Sequence, residues 1–357
     1  MSIYFIAVFF VALWGVRVQW KKEFSGSFLN KETTGAINAV CVLLVFVGHI
    51  DYSLLSHIGY EWESIFWDSG YRWITAHLHQ LHVVPFLFFS GFGVLEQMKR
   101  LGNGYIHDFP KRRIFALWLN FAVCVAIMAG INTVLCTGIA TPRRVLASLV
   151  GMSSVGNPVW YVFCIMLCYF VTWIAMKVCA PRGGVLVVFL FLIAYHVGMI
   201  KIGKGSQWYS TVWAYFAGCC FSLYGEKLLR LCRRCYWLAL SVAITMFLVF
   251  YSRIPGRFFL NNNICGIFMM GVVVLVSMKV KVGNGFLKFV GERVFPIYIY
   301  QTTFFLLARH ILSVPLTPIV VHIAIILCFC LTLLVAKFYP VFSIKFDCQS
   351  MCKAGRV

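Results

Sequence analysis

The sequence predicts an all-α integral membrane protein, a polytopic bundle of about 10–11 transmembrane helices. Three observations predict it. About eleven apolar stretches of bilayer-spanning length run through the chain with little between them. Of the 357 residues 61% are hydrophobic and only 12% charged, with a mean hydropathy of +0.87, which is more apolar surface than a water-soluble globule can hide. The basic residues sit in the short connections, heavily on alternate ones, as they do when a chain threads a bilayer repeatedly.

The spans fall at roughly 3–17, 36–56, 79–97, 114–135, 158–180, 184–200, 207–224, 236–252, 262–278, 289–308 and 318–337. The first starts directly after Met1 with no basic n-region and no small-residue cleavage pattern, so it reads as a retained extra span. The second reads NAVCVLLVFVGHIDYS and the third HLHQLHVVPFLFFSGFG, with Pro85 expected inside the latter. The connection KRLGNGYIHDFPKRR reads as a loop with two Gly and five Lys or Arg. The fifth span opens with GNPVWYVF, and the tenth is entered through GERVFPIYIYQTTFF. The last span is followed by a basic tail, 338–357, containing Cys348 and Cys352, read as a solvated tail able to touch lipid head groups.

Counting Lys and Arg orients the bundle. Of 31 such residues, 22 fall on one set of alternating connections and 8 on the other, with Arg293 inside a span. The positive-inside rule then puts the N-terminus outside and the C-terminus in the cytoplasm of a cell (inner or plasma) membrane. The same distribution explains the net charge of +20 without a nucleic-acid partner. The 15 Cys lie mostly in apolar runs and read as small buried hydrophobes. Cys232 and Cys235 have a metal-like spacing, but no second pair completes a tetrahedral set, so no metal is expected. There is no repeat and no long linker, and the chain reads as one membrane domain over 1–357 with a core at about 36–337 and no soluble esterase-like domain. No Gly-x-Ser-x-Gly elbow, phosphate loop, dinucleotide fingerprint or zinc-protease helix is present.

Function should reside in polar side chains at membrane depth, because each is costly there unless it meets a cavity or a partner. The second span holds Asn38, His49 and Asp51. A His can take a hydroxyl proton near neutral pH, and a carboxylate can orient it, but residues two apart on a helix face apart unless the helix bends. The third span clusters His77, His79 and His82, then Ser90 and Gly91, where Gly admits a helix or ligand closely. Lys111, Arg112 and Arg113 can hold an anionic, phosphate-bearing ligand. Asn157 and Trp160 lie at an interface. Glu292 and Arg293 are explained by snorkelling, and His196 and His322 read as structural.

Taken in order, these pieces resemble the membrane-bound acyltransferase family 3, whose members acylate cell-surface sugars and related hydroxyl acceptors. The resemblance covers nearly the whole chain. AINAVCVLLVFVGHI supplies the family's apolar stretch ending in Gly48 and His49. LHVVPFLFFSGFG is similar to the family's His-Pro-aromatic-Ser-Gly segment, aligning His82, Ser90, Gly91 and Phe92. KRRIFALWL, NPVWYVF and VGERVFPIYIYQ resemble its basic pair, its Trp-Tyr opening and its late Ile-Tyr segment. Asn38 stands where the family has a basic residue, and Gln301 where members often have His.

The resemblance implies an acyl donor, acetyl-CoA or another acyl-CoA, as co-substrate with no permanently bound cofactor, and a carbohydrate or glycolipid hydroxyl as acceptor. In that reading His49, with Asp51, is the base or transient acyl carrier. Lys111, Arg112 and Arg113 hold the donor's phosphates, and Asn38, His82, Ser90, Gly91, Asn157, Trp160, Tyr300 and Gln301 line the path. A transporter or flippase would use broken helices and buried His equally well, but the inverted repeat usual in transporters is not visible.

Overall fold

The computed structural model describes residues 1–19, 24, 28–60, 66–78, 80–252, 259–312 and 317–344, the side chains of 66, 67 and 259–261 excepted. His79, Lys21, Lys22, Arg253, Arg257, Lys345, Lys353 and Arg356, together with Cys348 and Cys352 of the tail, lie outside the described residues.

Fourteen α-helices occur among the described residues: α1 Ile3–Leu13, α2 Lys31–Ser53, α3 Phe66–Leu78, α4 Val84–Phe109, α5 Ala116–Val134, α6 Pro142–Leu149, α7 Trp160–Val178, α8 Pro181–Lys201, α9 Trp213–Arg234, α10 Tyr236–Tyr251, α11 Phe259–Ser277, α12 Gly285–Gly291, α13 Val294–Ile311 and α14 Pro318–Phe342. A two-stranded ladder pairs β1, Arg17–Val18, with β2, Val280–Lys281, antiparallel. Polar side chains start several helices: Asn30 accepts from the Thr33 N–H at 2.9 Å to open α2, and Asn284 accepts from the Leu287 N–H at 2.8 Å to open α12.

Five helical runs are long and apolar enough to cross a bilayer: Lys31–His57, Leu81–Val134, Trp160–Val178, Pro181–Lys201 and Pro318–Phe342. A sixth results if the consecutive helices Ser206–Arg234 and Tyr236–Tyr251 act as one span. The run Leu81–Val134 has 54 residues, about 80 Å of helix, against a hydrocarbon core of about 30 Å. The protein is an all-α, polytopic integral membrane protein. Every segment expected from hydropathy contains a helix; α1, with 11 residues, is shorter than the expected 3–17.

Two local expectations are corrected. Pro85 does not interrupt a span. It occupies the first turn of α4, after a 3₁₀ turn at Leu81–Val83, where a missing N–H leaves no hydrogen bond unmade. KRLGNGYIHDFPKRR is not a loop. α4 continues through it, kinked at Gly102 (φ +64°), and a π-helical turn at Pro110–Phe115 leads into α5. A glycine accepts that positive φ without a Cβ clash, so one non-helical residue turns the chain between two helical segments. Hydropathy also passes over α3, α6 and α12, which are short and partly polar.

The chain divides into two compact units. The first contains Met1–Phe86, Gly156–Pro158 and Cys235–Pro340. In it α2 runs beside α12 and α13 in the same direction, Gly291 lying against the Gly35 carbonyl and Phe46 against Phe305 at 5.0 Å. α14 joins through Phe329 on Phe46, also at 5.0 Å, and α1 through a 2.7 Å hydrogen bond between the Tyr4 hydroxyl and His322 Nδ1. The second contains Leu87–Val155, Val159–Arg234 and Val341–Val357. There α4 and α9 approach backbone to backbone at Gly91 and Gly218, and the Tyr215 and Thr172 hydroxyls meet at 2.9 Å. His196 receives the Trp213 indole N–H at 3.4 Å.

Candidate functional site

Within the first unit the polar stripe of α2 is the centre of interest. Asn38 and His49 are eleven residues apart, which on a helix is only about 20° of rotation and about 16 Å of rise. They share a face with Val42 and Val45, both fully or almost fully buried. Asn38 Oδ1 and His49 Nδ1 are both buried without a hydrogen-bond partner among the described residues. Leaving such an atom unpaired costs about 1–3 kcal/mol, which makes this stripe the candidate site.

Beside His49 the helix backbone is held by a side chain the sequence reading missed. The Tyr71 hydroxyl of α3 donates to the Val47 carbonyl at 2.7 Å and accepts from the Asp51 N–H at 3.3 Å. Val47 and Asp51 are an i, i+4 pair, so Tyr71 clasps the turn that carries His49. Burial raises the Tyr71 hydroxyl above its ordinary titration range, which keeps it protonated and able to donate. The signal in the sequence was the amphipathic period of FWDSGYRWITAHL, which places Tyr71 on a buried face. Tyr71→Phe should destabilise the protein by about 1–3 kcal/mol and lower turnover with little change in donor KM, read by thermal unfolding and initial rates on the same preparation.

Asp51 is not brought to His49. Two positions along a continuous helix are about 200° apart, and no hydrogen bond joins them among the described residues. The Asp51 carboxylate instead interacts electrostatically with Arg72. Gln301 is fully buried on α13, its Nε2 donating to the Tyr298 carbonyl at 3.1 Å while Oε1 has no partner among the described residues. Tyr300 is buried with its ring 6.4 Å from Tyr339. Asn157 is buried as well. His82 lines a cavity of about 730 Å³ together with His77.

The second unit gathers a different set. The three neighbours on the π-helical turn fan apart. Lys111 lines a groove of about 510 Å³, Arg112 pairs with Asp108 at 3.5 Å, and Arg113 reaches the Tyr105 hydroxyl at 3.4 Å and Gln97 Oε1 at 3.3 Å. Arg113 also acts electrostatically on Tyr169, whose hydroxyl is hydrogen-bonded to Ser90. Ser90 and Arg113 are therefore joined through Tyr169, a residue that hydropathy gives no reason to single out. Gly91 faces neither solvent nor cavity: a Cβ there would run into the Tyr215 carbonyl, so its role is helix contact. Trp160 packs edge-on against Tyr161 at 6.0 Å. Glu96, Lys99 and Ser222 form a further network, with Lys99 Nζ 2.6 Å from Glu96 and the Ser222 hydroxyl donating to Glu96 at 2.7 Å.

Among the described residues no three His, Cys, Asp or Glu lie close enough to hold a metal. Among the described residues, cavities of about 580, 730 and 510 Å³ are lined by neither His49, Asn38 nor Arg113.

No curated protein and no solved structure matches the chain. Residues 36–337 match the family model described as an acyltransferase domain; the match includes residues of both units and every residue of the candidate site named in this subsection except Tyr339. With that match the chain belongs to the acyltransferase 3 family, as a transferase of acyl groups other than aminoacyl groups.

Proposed function

We propose that this acyltransferase is an O-acetyltransferase that takes the acetyl group of acetyl-CoA at the cytoplasmic face and delivers it to a hydroxyl of a cell-surface or exported carbohydrate. The observation that carries the reading is His49, whose buried Nδ1 has no partner among the described residues and whose turn is clasped by Tyr71. A neutral imidazole there accepts the acceptor's hydroxyl proton as the oxygen attacks the thioester carbonyl. The C–O ester bond forms, the C–S bond breaks, and the proton passes from His49 to the departing thiolate. The products are the O-acetyl ester and free CoA. Asn38 and Gln301, each with a buried unpartnered oxygen, supply acceptor sites for the hydroxyls of the incoming sugar.

Arg113, with Arg112 and Lys111 adding positive charge on the same turn, holds the donor's phosphates. Guanidinium groups suit this because they offer several donors in a fixed fork. The basic connections face the cytoplasm in this reading, with the N-terminus outside, and the membrane is that of the cell surface. Arg113→Ala should raise the KM for acetyl-CoA by about tenfold to a hundredfold while kcat stays within about twofold, because a charged hydrogen bond is worth roughly 1.5–3 kcal/mol. Initial rates of CoA release at varied donor concentration read this directly. An unchanged donor KM would remove Arg113 from the donor site. Purified protein that consumes no acetyl-CoA with any glycan acceptor would overturn the reaction itself.

A further inference from the structure

The three cavities differ in what they offer a ligand. In the cavity of about 580 Å³ the polar groups are the Tyr4 hydroxyl and His322, which are bonded to one another. The groove of about 510 Å³ has a single charged group, Lys111, and both its indoles are committed, Trp118 to the Leu149 carbonyl and Trp173 to the Ile106 carbonyl. The cavity of about 730 Å³, within the first unit, is built differently. One end is polar and aromatic: His77 stacks on Trp73 at 4.2 Å, is held by a 2.8 Å bond involving its Nδ1 and the Trp73 carbonyl, and faces Tyr251 at 6.3 Å, with His82 close by in the same lining. The remainder is mostly aliphatic: Ile37, Val40 and Leu44 of α2, Met269, Val272 and Val276 of α11 and Val280 of the β1–β2 ladder line it, with Cys41, Phe247 and Ser277, whose hydroxyl donates to the Val273 carbonyl at 2.7 Å.

Such a cavity is within the size range of ligand sites, and its single polar end matches an amphiphile rather than a free sugar, which would leave most of the lining unused. The positions on α2 that line it, Ile37, Val40, Cys41 and Leu44, lie about 80° to 180° around the helix from His49, so the cavity adjoins the polar stripe along the Cys41 side of α2. On the reading of this protein as a carbohydrate O-acyltransferase, we infer that this cavity takes the hydrocarbon chain of the acceptor, with Trp73, His77 and Tyr251 against the junction of chain and sugar and the sugar itself directed to the α2 stripe that carries His49. The acceptor class is then a lipid-anchored glycan.

The experiment uses the full chain in lipid nanodiscs with acetyl-CoA and methyl, octyl and dodecyl glucosides. The wild type should turn over the dodecyl glucoside at least about tenfold faster than the methyl glucoside at equal concentration, since each buried methylene adds to binding. Val272→Trp, which fills the aliphatic part, should collapse that ratio to near one. Leu186→Trp, on an exposed face of α8, should keep it. A ratio retained in Val272→Trp means the chain preference is mere partitioning into the bilayer, with ordinary lipid in the cavity, and overturns the inference.

A second readout is independent of turnover. A dodecyl glucoside carrying a photoactivatable diazirine on its chain should label peptides spanning 37–44 or 269–277 in the wild type and not in Val272→Trp. Labelling elsewhere overturns the inference whatever the rates. Correct labelling with no acetyl-CoA consumption on any acceptor leaves the chain-binding cavity standing and overturns the acyl-transfer reading instead. Val272→Phe, a smaller change, repeats both measurements should the Trp variant fail to give monodisperse protein.

Discussion

Replacing His49 by Ala is expected to lower acyl transfer by about 10²- to 10⁴-fold, the range for removing a general base, while the protein remains folded. Two features set the size and the selectivity of this effect. His49 Nδ1 makes no hydrogen bond among the described residues, so losing the ring breaks no bond at that atom and in fact removes an unsatisfied buried polar atom. The helix turn itself is held by Tyr71 through backbone groups at Val47 and Asp51, which the substitution leaves in place. Thermal stability should therefore change little while the rate falls. Transfer at wild-type rate by a folded His49→Ala preparation would remove His49 from the chemistry. Asp51→Asn is the companion measurement. Because Asp51 is turned away from His49 and interacts with Arg72, its effect should be well below that of His49→Ala, in contrast to the catalytic pair that their nearness in sequence suggests.

The second large effect concerns stability. A Cβ at Gly218 would meet the Phe88 carbonyl and the Phe92 nitrogen, and a Cβ at Gly91 would meet the Tyr215 carbonyl. These are backbone atoms of a neighbouring helix in the same unit, so neither can move aside without separating α4 from α9. Gly218→Ala and Gly91→Ala should each cost at the upper end of the 1–3 kcal/mol typical of overpacking, and more, seen as a lower unfolding midpoint and loss of monodisperse protein. Gly130 is the internal control. It lies on α5 with nothing within 4 Å of a built Cβ, so Gly130→Ala should be neutral or stabilising by about 0.5–1 kcal/mol. Equal damage at Gly130 and Gly218 would mean that helix contact is not what these glycines serve. Small residues at the approach point are how helices in a bilayer gain contact where hydrophobic burial offers little.

Parts of this were legible in the sequence for a definite reason. A span announces itself through consecutive apolar residues, and a family through the order of short motifs, so both survive reading in one dimension. The motif carrying Ser90 and Gly91 was found this way, as were Asn38 and His49 as polar residues of the second span. The KRLGNGYIHDFPKRR segment differs from the expected loop because Gly, Pro and charge usually mark one, whereas here a single non-helical Gly102 and a π-helical turn join helical segments directly. α3 was passed over because an amphipathic helix of 13 residues has no long apolar run.

The sequence by itself determined that this chain lives in a membrane, that it is helical throughout its spans, and which polar residues sit on the second and third of them. Tertiary structure decided what those residues do to one another. Tyr71 reaches its backbone partners from 20 and 24 positions away, and Tyr169 links Ser90 to Arg113 from 79 and 56 positions away. Gly91 turned from a cavity residue into a contact residue because α9 happens to pass there. The physical reason is the reach of the interactions: hydropathy and helical period act along the chain over a few turns, whereas a hydrogen bond or a close approach is made in space, with whichever distant segment the packing brings within about 3 Å.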